Sequence, residues 1–198
     1  MNSSAQIWLL ARSSGLLAYA LLTLTVVAGL TLKTRMFGRA VPPAVITSVH
    51  QLLSTIGLLA VGVHVGMLLL DTHVNMPLIA IVVPGLAAYR TLATSLGVVA
   101  IELWLLVHFS FRLRKRIGVK RWRKLHYATF GLWALAAVHG LVAGSDSGLP
   151  WVQHMYAVSV ALVVGLLGWR SLTSKKPARA QQQRATVDQT SAISTTPT

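Results

Sequence analysis

The chain contains no cysteine among its 198 residues. This absence excludes disulfide bonds, thiolate metal sites and iron–sulfur clusters, all of which need cysteine sulfur. Any bound metal must therefore be held by histidine, methionine or carboxylate side chains.

Acidic residues are also scarce. Four Asp and Glu residues stand against 18 Lys and Arg, and 11% of the chain is charged while 54% is hydrophobic. This balance is too apolar for a soluble domain of this size and is typical of an integral membrane protein. The net charge of +14 would suit a nucleic-acid-binding protein, but the basic residues flank long apolar runs and form no face interleaved with aromatic residues. We therefore interpret them as topology signals.

Five apolar segments each approach the roughly 20 residues that a helix needs to cross the hydrocarbon core. The segments are residues 7–32, 45–70, 91–111, 125–143 and 151–171. Pro77–Tyr89 is shorter and contains Pro84 and Gly85, so we expect a loop or half-helix at the membrane interface there. The prediction is an all-α bundle of five transmembrane helices within residues 1–171, followed by a disordered polar tail at 172–198.

The distribution of Lys and Arg predicts the orientation of this bundle. With five spans, sixteen of the eighteen basic residues fall on one side, and Arg12 and Arg90 remain for the other. Because short cytoplasmic loops carry the excess of Lys and Arg, we expect the N-terminus outside and the C-terminus in the cytoplasm of a plasma-membrane protein.

Two predicted helices each carry a pair of histidines. In the second helix, thirteen residues separate His50 from His64, and in the fourth, twelve separate His126 from His139. At 1.5 Å per residue, the members of each pair differ in height by about 20 Å, one in each leaflet. Both helices cross in the same direction, so we expect His50 to face His126 and His64 to face His139.

Two imidazoles that face each other between helices are the axial ligands of a six-coordinate haem, so the pattern predicts two haem b groups. Gly62 and Gly66 bracket His64, and Gly140 follows His139, which would let a flat macrocycle approach the backbone. The same spacing of small residues also serves ordinary helix packing. A step of thirteen residues does not return to the same face of a straight helix, so we expect either a loosened first turn at His126 or a local distortion of the helix.

At this point the residues resemble a known family. The two histidine pairs, the second ending in His-Gly, and the LLARSSGLL element around Arg12 look like the ferric reductase-type transmembrane domain of ferric reductases and NADPH oxidases. The resemblance covers about residues 7–171. In size the chain is similar to the stand-alone haem-binding membrane subunit of the bacterial periplasmic methionine sulfoxide reductase system.

The resemblance implies an electron path from the cytoplasmic haem to the outer haem and on to an extracytoplasmic acceptor. Family members usually continue into flavin- and nicotinamide-binding domains, whereas here only a polar tail follows, with no GxGxxG or P-loop element. We therefore expect a separate flavin reductase or a membrane quinol as electron donor, and an electron-transfer subunit of an oxidoreductase.

Three further residues are candidates for contact with the haems. Arg12 and Arg90 lie near the outer ends of their helices and could each pair with a haem propionate. Equally, Arg12 could be a side chain that snorkels to the interface, and Arg90 a positional anchor. By resemblance to the oxidases, Arg12 could also polarise the acceptor. Trp133 lies between the histidines of its helix and could shorten the electron route, although an aromatic side chain there more often serves packing.

The remaining polar residues have open roles. Glu102 lies in the middle of the third span, where we expect it to pair with a neighbour or to contact a proton or quinone site, with His108 as a possible companion. On the inner side, Arg39, Arg123 and Lys124 could serve propionates or dock a donor. A last group could bind an external metal substrate: Asp71, His73, Asp146 and His154.

The sequence thus favours a membrane cytochrome b that carries electrons outward through two bis-histidine haems. Two alternatives stay open. One is a quinol-linked haem subunit of a larger redox complex, and the other is a metal-ion transporter with histidines along its path, although such a transporter more often presents a continuous polar channel.

Overall fold

A computed structural model describes residues 3–34, 36 and 40–174 of the chain. The described residues form helices and connecting turns without a β-strand. The long helices are α1 (Ser3–Thr34), α2 (Pro43–Leu70), α3 (Thr91–Ile117), α5 (Ala128–Ala143) and α6 (Pro150–Ser174), and a short helix α4 (Val119–His126) precedes α5.

Five helical segments are long and apolar enough to cross a membrane, with α4 and α5 together forming the fourth of them. This confirms the predicted all-helical fold with five candidate spans and identifies a multi-pass membrane protein. The Pro77–Tyr89 segment forms a single 3₁₀ turn at Leu78–Ile81 followed by irregular backbone, as expected. The predicted tail begins inside α6, and its residues 175–198 lie outside the described part of the chain.

Two antiparallel helix pairs build the bundle. The most extensive packing is between α1 and α2 and between α3 and α5, and α6 packs against α1. The buried core comes mainly from α1, α3, α5 and α6, with Leu22, Leu132, Val152 and Val163 fully enclosed. Helix α2 lies at the edge, since Gly57 and Ala60 are its buried residues.

The helix ends follow from local sequence. Pro43 begins α2, because its fixed φ suits the first helical turn and its missing N–H needs no partner there. Gly118 ends α3 with a positive φ of 87°, a conformation that glycine adopts without steric cost, and its N–H bonds the Arg114 carbonyl.

The fourth span is interrupted at Tyr127, immediately after His126. The carbonyl of His126 accepts a hydrogen bond from the Thr129 hydroxyl, and the Phe130 N–H bonds the Tyr127 carbonyl three residues back, at 3.2 Å. The helix is therefore tightened locally at this point. The expected irregularity near His126 is confirmed.

For the description of the site, the end of the bundle where α1 begins is called the N-terminal end. The opposite end, where α3 leads into α4 through a run of Arg and Lys, is called the basic end.

Candidate haem site

The four span histidines meet as two pairs between α2 and the α4–α5 span. The ring centres of His50 and His126 are 6.1 Å apart, and those of His64 and His139 are 6.4 Å apart. The first pair lies toward the basic end and the second toward the N-terminal end. The pairing expected from the two spacings is therefore the one that the fold brings together.

The separation within each pair matches the space required by one metal ion. A metal–imidazole bond of about 2.0–2.1 Å on each side, plus about 1.1 Å from each ring centre to its nitrogen, gives about 6.3 Å between the centres of two opposed ligands. The observed 6.1 and 6.4 Å lie on either side of this value. A direct hydrogen bond between the two rings would bring them closer together.

Hydrogen bonds fix three of the four imidazoles in one tautomer. The Nδ1 atoms of His50, His64 and His139 lie 2.8, 2.7 and 2.8 Å from the backbone carbonyls of Thr25, Ala11 and Ala93, respectively. A carbonyl oxygen only accepts, so each Nδ1 must carry the hydrogen and donate it. Each Nε2 is then left with a free lone pair, which is the form that ligates a metal, and the carbonyl bond raises its basicity.

A glycine one turn beyond each acceptor carbonyl makes room for these rings. A Cβ atom built on Gly15 would come within 2.9 Å of the His64 ring, and one on Gly29 within 3.3 Å of His50. A Cβ on Gly97 would lie 2.7 Å from the His139 ring. In all three cases the acceptor stands four residues before the glycine, so the missing side chain opens the carbonyl to the imidazole.

His126 is the exception. Its Nδ1 is buried and has no hydrogen-bond partner among the described residues, and the same is true of the indole nitrogen of Trp122. The two rings stack with centres 5.0 Å apart. Helix α3 and the fourth span run antiparallel and meet at the Gly97–His139 contact. Thirteen residues forward along α3 is Ser110, and thirteen residues back along the fourth span is His126. At this position the other three histidine sites have a glycine.

An apolar cavity surrounds the His64–His139 pair and extends from the N-terminal end of the bundle to the level of Trp104. Its walls come from α1, α2, α3, α5 and α6, and they include Leu22, Ala100 and Leu132. Mainly hydrophobic walls with a few convergent polar groups are typical of a cofactor pocket. The donor set, two neutral imidazoles in an apolar pocket, fits a haem with two axial histidines.

Arg12 lies at the mouth of this cavity and is already paired. Its Nε donates to a carboxylate oxygen of Asp146 at 2.8 Å, and its Nη2 contacts the other oxygen. This bidentate ion pair ties α1 to the turn between α5 and α6. Arg90 instead lies outside the cavity, exposed, with its guanidinium bonded to the Val142 carbonyl.

The three predicted glycines differ in their surroundings. Gly140 lines the cavity, but a Cβ there would lie 1.9 Å from the Tyr156 hydroxyl, so the glycine accommodates this tyrosine. Gly62 and Gly66 are absent from the described cavity walls, and a Cβ on either would meet open space. The glycines against the histidine rings, on α1 and α3, were missed. The signal was present, because Gly15 and Gly29 are fourteen residues apart, like His50 and His64.

Trp133 is buried, and its indole nitrogen donates to the Thr23 hydroxyl of α1 at 3.1 Å. It is not among the described cavity walls, whereas Trp104 is. The Trp104 ring rests on Gly57, seven residues from both His50 and His64. Trp104 therefore lies midway between the two histidine levels. Trp133 lies at a similar depth, because its partner Thr23 stands between Gly15 and Gly29 on α1.

The loop candidates for an external metal site are occupied locally. Asp71 accepts hydrogen bonds from the His73 and Val74 N–H groups, Asp146 pairs with Arg12, and His154 bonds the Pro150 carbonyl. Within the described ranges, no group of three or more His, Asp or Glu side chains is arranged to hold a metal ion.

At the basic end, Arg123 and Lys124 are exposed on α4, and Arg39 lies outside the described residues. His108 approaches the Ser54 hydroxyl at 3.0 Å, and this hydroxyl also accepts from the Trp104 indole at 3.2 Å. Ser54 thereby links α2 to α3 between the two histidine levels.

Comparison with known proteins gives partial similarity. The chain is 41% identical over 78 residues to the magnetosome protein MamZ of Paramagnetospirillum magneticum, and 42% identical over 57 residues to MamZ of Magnetospirillum gryphiswaldense. These alignments include 38% and 28% of this chain but only 12% and 9% of the relatives. No protein-family model and no solved structure matches the chain.

Proposed function

We propose that this protein is a membrane b-type cytochrome that carries electrons across the plasma membrane through two bis-histidine haems. His50 and His126 hold the cytoplasmic haem, and His64 and His139 hold the outer one. When bound, the haem iron supplies reversible one-electron chemistry. The chain spans only a small part of its MamZ relatives, so the proposal depends on the geometry of its own residues.

The observation that carries the proposal is the combination of spacing and tautomer at the histidine pairs. Both ring separations suit one metal ion between two imidazoles. Three rings are held by backbone carbonyls so that an unprotonated Nε2 is available. Packing histidines need neither feature, because a buried ring is satisfied by any one hydrogen-bond partner.

The surrounding residues orient and insulate the ligands. The carbonyls of Ala11, Thr25 and Ala93 stop the rings from rotating. The largely apolar walls around His64 and His139 would shield a haem held there from water and so influence its potential. His50 with His126 and His64 with His139 would hold the two haems, which would supply one-electron transfer to an acceptor without a ligand position left for it. The charge of Arg12 is paired with that of Asp146. This ion pair favours a role for Arg12 in closing the cavity mouth over direct contact with an acceptor.

The direction of electron flow follows from the charge distribution of the chain. The basic end faces the cytoplasm, and an acidic donor surface can dock there. The donor is a separate flavin reductase or a membrane quinol, and the acceptor is extracytoplasmic.

The proposal is tested by haem content. Protein purified from haem-replete cells is expected to show low-spin b-type bands in a reduced-minus-oxidised spectrum and about two haems per chain by pyridine haemochrome assay. His50→Ala and His126→Ala should each remove one haem, and the double variant should remove no more. The pair His64→Ala and His139→Ala should behave in the same way for the other haem.

Combining His50→Ala with His64→Ala should remove both haems, since these residues serve different pairs. His154→Ala is the matched control, because this exposed histidine on α6 bonds only a local carbonyl among the described residues. A colourless wild-type protein, or a loss of both haems from a variant of one pair with the fold intact, would contradict the assignment.

A further inference from the structure

The middle of α3 carries a carboxyl group on the surface of the bundle. Glu102 is exposed, and the exposed stripe continues along the helix through Leu105, Leu106, Phe109 and Leu113. Within residues 3–34, 36 and 40–174, the Glu102 carboxyl has neither a hydrogen-bond partner nor an ion pair. The stripe formed by these five residues is called the α3 stripe below.

Glu102 lies close to the centre of the membrane. Trp104, two residues further along α3, rests on Gly57, which is midway between the histidines of α2. The two histidine levels are therefore about 10 Å above and below this contact, at 1.5 Å per residue. The hydrocarbon core is about 30 Å thick, so the carboxyl has no short route to water at either interface.

The described residues do not satisfy this group. The residues three and four positions away along α3 are Val98, Val99, Leu105 and Leu106, none of which has a polar side chain. A carboxyl group without a hydrogen bond in hydrocarbon is costly whether or not it is ionised. A partner that approaches the α3 stripe from outside the described fold would relieve this cost.

We propose that a second copy of this chain covers the α3 stripe, with α3 packed against α3 about a two-fold axis along the membrane normal. A protonated carboxyl group has one donor and a free acceptor, so it is its own complement. In a two-fold interface, residues near the axis meet the same residue of the other copy. Glu102 therefore meets Glu102 of the second copy, and the apolar residues of the stripe pack around the pair.

The charges of the chain favour a neutral pair of this kind over an ion pair. Arg12 and Arg90 lie toward the N-terminal end. The other Arg and Lys residues that the structure describes lie at the basic end. The described part of a second copy thus brings no Lys or Arg to the depth of Glu102, but it does bring another carboxyl group. Side-chain hydrogen bonds of this type associate membrane helices.

The absence of cysteine makes the proposal directly testable. Leu106→Cys introduces a single thiol one turn from Glu102 on the α3 stripe. Leu59→Cys introduces one at a similar depth on the exposed face of α2, where the side chain is 66% exposed. In proteoliposomes treated with a mild oxidant, we expect a disulfide-linked dimer of the Leu106→Cys protein and little from the Leu59→Cys control.

Changes of Glu102 in the Leu106→Cys protein separate the hydrogen bond from the packing. Glu102→Gln keeps a donor and an acceptor and should keep the crosslink. Glu102→Leu should weaken association by about five- to thirty-fold, seen as loss of the crosslink on dilution with lipid. Gel filtration and the haem content of each variant report on folding, and both should be unchanged because Glu102 bonds no described residue.

Absence of the Leu106→Cys crosslink, equal crosslinking at Leu59→Cys, or equal behaviour of Glu102→Leu and Glu102→Gln would overturn the proposal. The first result would point to a different membrane partner at the stripe. The proposal is independent of the haem assignment, since a dimer can form in a colourless protein and a monomer can bind two haems.

Discussion

The glycines behind the histidine rings allow a graded test of the site. Gly97 lies against His139, where a new Cβ would stand 2.7 Å from the Nδ1 and Cε1 atoms of the ring. Ordinary van der Waals contact begins at about 3.4 Å, so the ring must retreat by about 0.7 Å or leave its place. The movement would stretch the 2.8 Å bond from His139 to the Ala93 carbonyl.

The expected cost of Gly97→Ala comes from two sources. Overpacking of a fitted site costs about 1–3 kcal/mol, and weakening of a hydrogen bond behind a metal ligand lowers metal affinity by about 10- to 100-fold. We therefore expect the haem at His64 and His139 to be lost on purification while the other haem remains. The pyridine haemochrome assay should fall from about two haems per chain to about one.

Three other Gly→Ala substitutions complete the series. The built Cβ distance to the histidine ring is 2.9 Å at Gly15 and 3.3 Å at Gly29, and Gly66 has nothing within 4 Å. Gly15→Ala should thus weaken the same haem, Gly29→Ala should have a slight effect, and Gly66→Ala should bind haem as the wild type does. All four changes favour helix by a similar amount, so the differences isolate the steric effect.

Unchanged haem content in Gly97→Ala, or an equal loss in Gly66→Ala, would refute the reasoning. The first result would mean that the His139 ring is not fixed against α3. The second would restore the interpretation of the α2 glycines as places where the macrocycle approaches the backbone.

Two further predictions concern packing near the site. Gly140→Ala should destabilise the fold, because its Cβ would fall 1.9 Å from the Tyr156 hydroxyl oxygen. Adding Tyr156→Phe should recover much of the lost stability, since the next ring atom is 3.1 Å away. Thermal unfolding in detergent measures both effects, and a double variant no more stable than the single one would contradict the contact. Ser54→Ala should lower the free energy of unfolding by about 1–3 kcal/mol, because the Trp104 indole loses its acceptor and His108 loses its partner. Thr55→Ala is the control and should lower it little, since this exposed hydroxyl bonds a carbonyl of its own helix. Equal melting temperatures of the two variants would count against the Ser54 link.

Much of the fold was predictable because its signals are local. Long apolar runs predicted the five spans, and the distorted span was expected because a step of thirteen residues from His126 to His139 does not fit one face of a straight helix. Histidine spacing also predicted which rings meet, since two helices that run in the same direction bring residues of equal height together.

The rest depended on contacts between distant parts of the chain. The ion pair of Arg12 joins residues 134 positions apart, and no local pattern indicates that Asp146 is its partner. That Trp104 lines the cavity while Trp133 bonds Thr23 of α1 depends on how α3 and α5 rotate about their axes. Glu102 was expected to pair with a neighbour or to contact a proton or quinone site. Among the described residues it has no such neighbour, because α3, which packs against α5, turns it outward.

The most direct test of the account is the electron paramagnetic resonance spectrum of the oxidised wild-type protein, recorded together with its haem-to-chain ratio. Bis-imidazole ligation predicts low-spin ferric haem at about two haems per chain, with one signal lost in His64→Ala and the other in His50→Ala. A high-spin spectrum, a ratio near one, or a protein without haem would contradict the assignment of two bis-histidine sites.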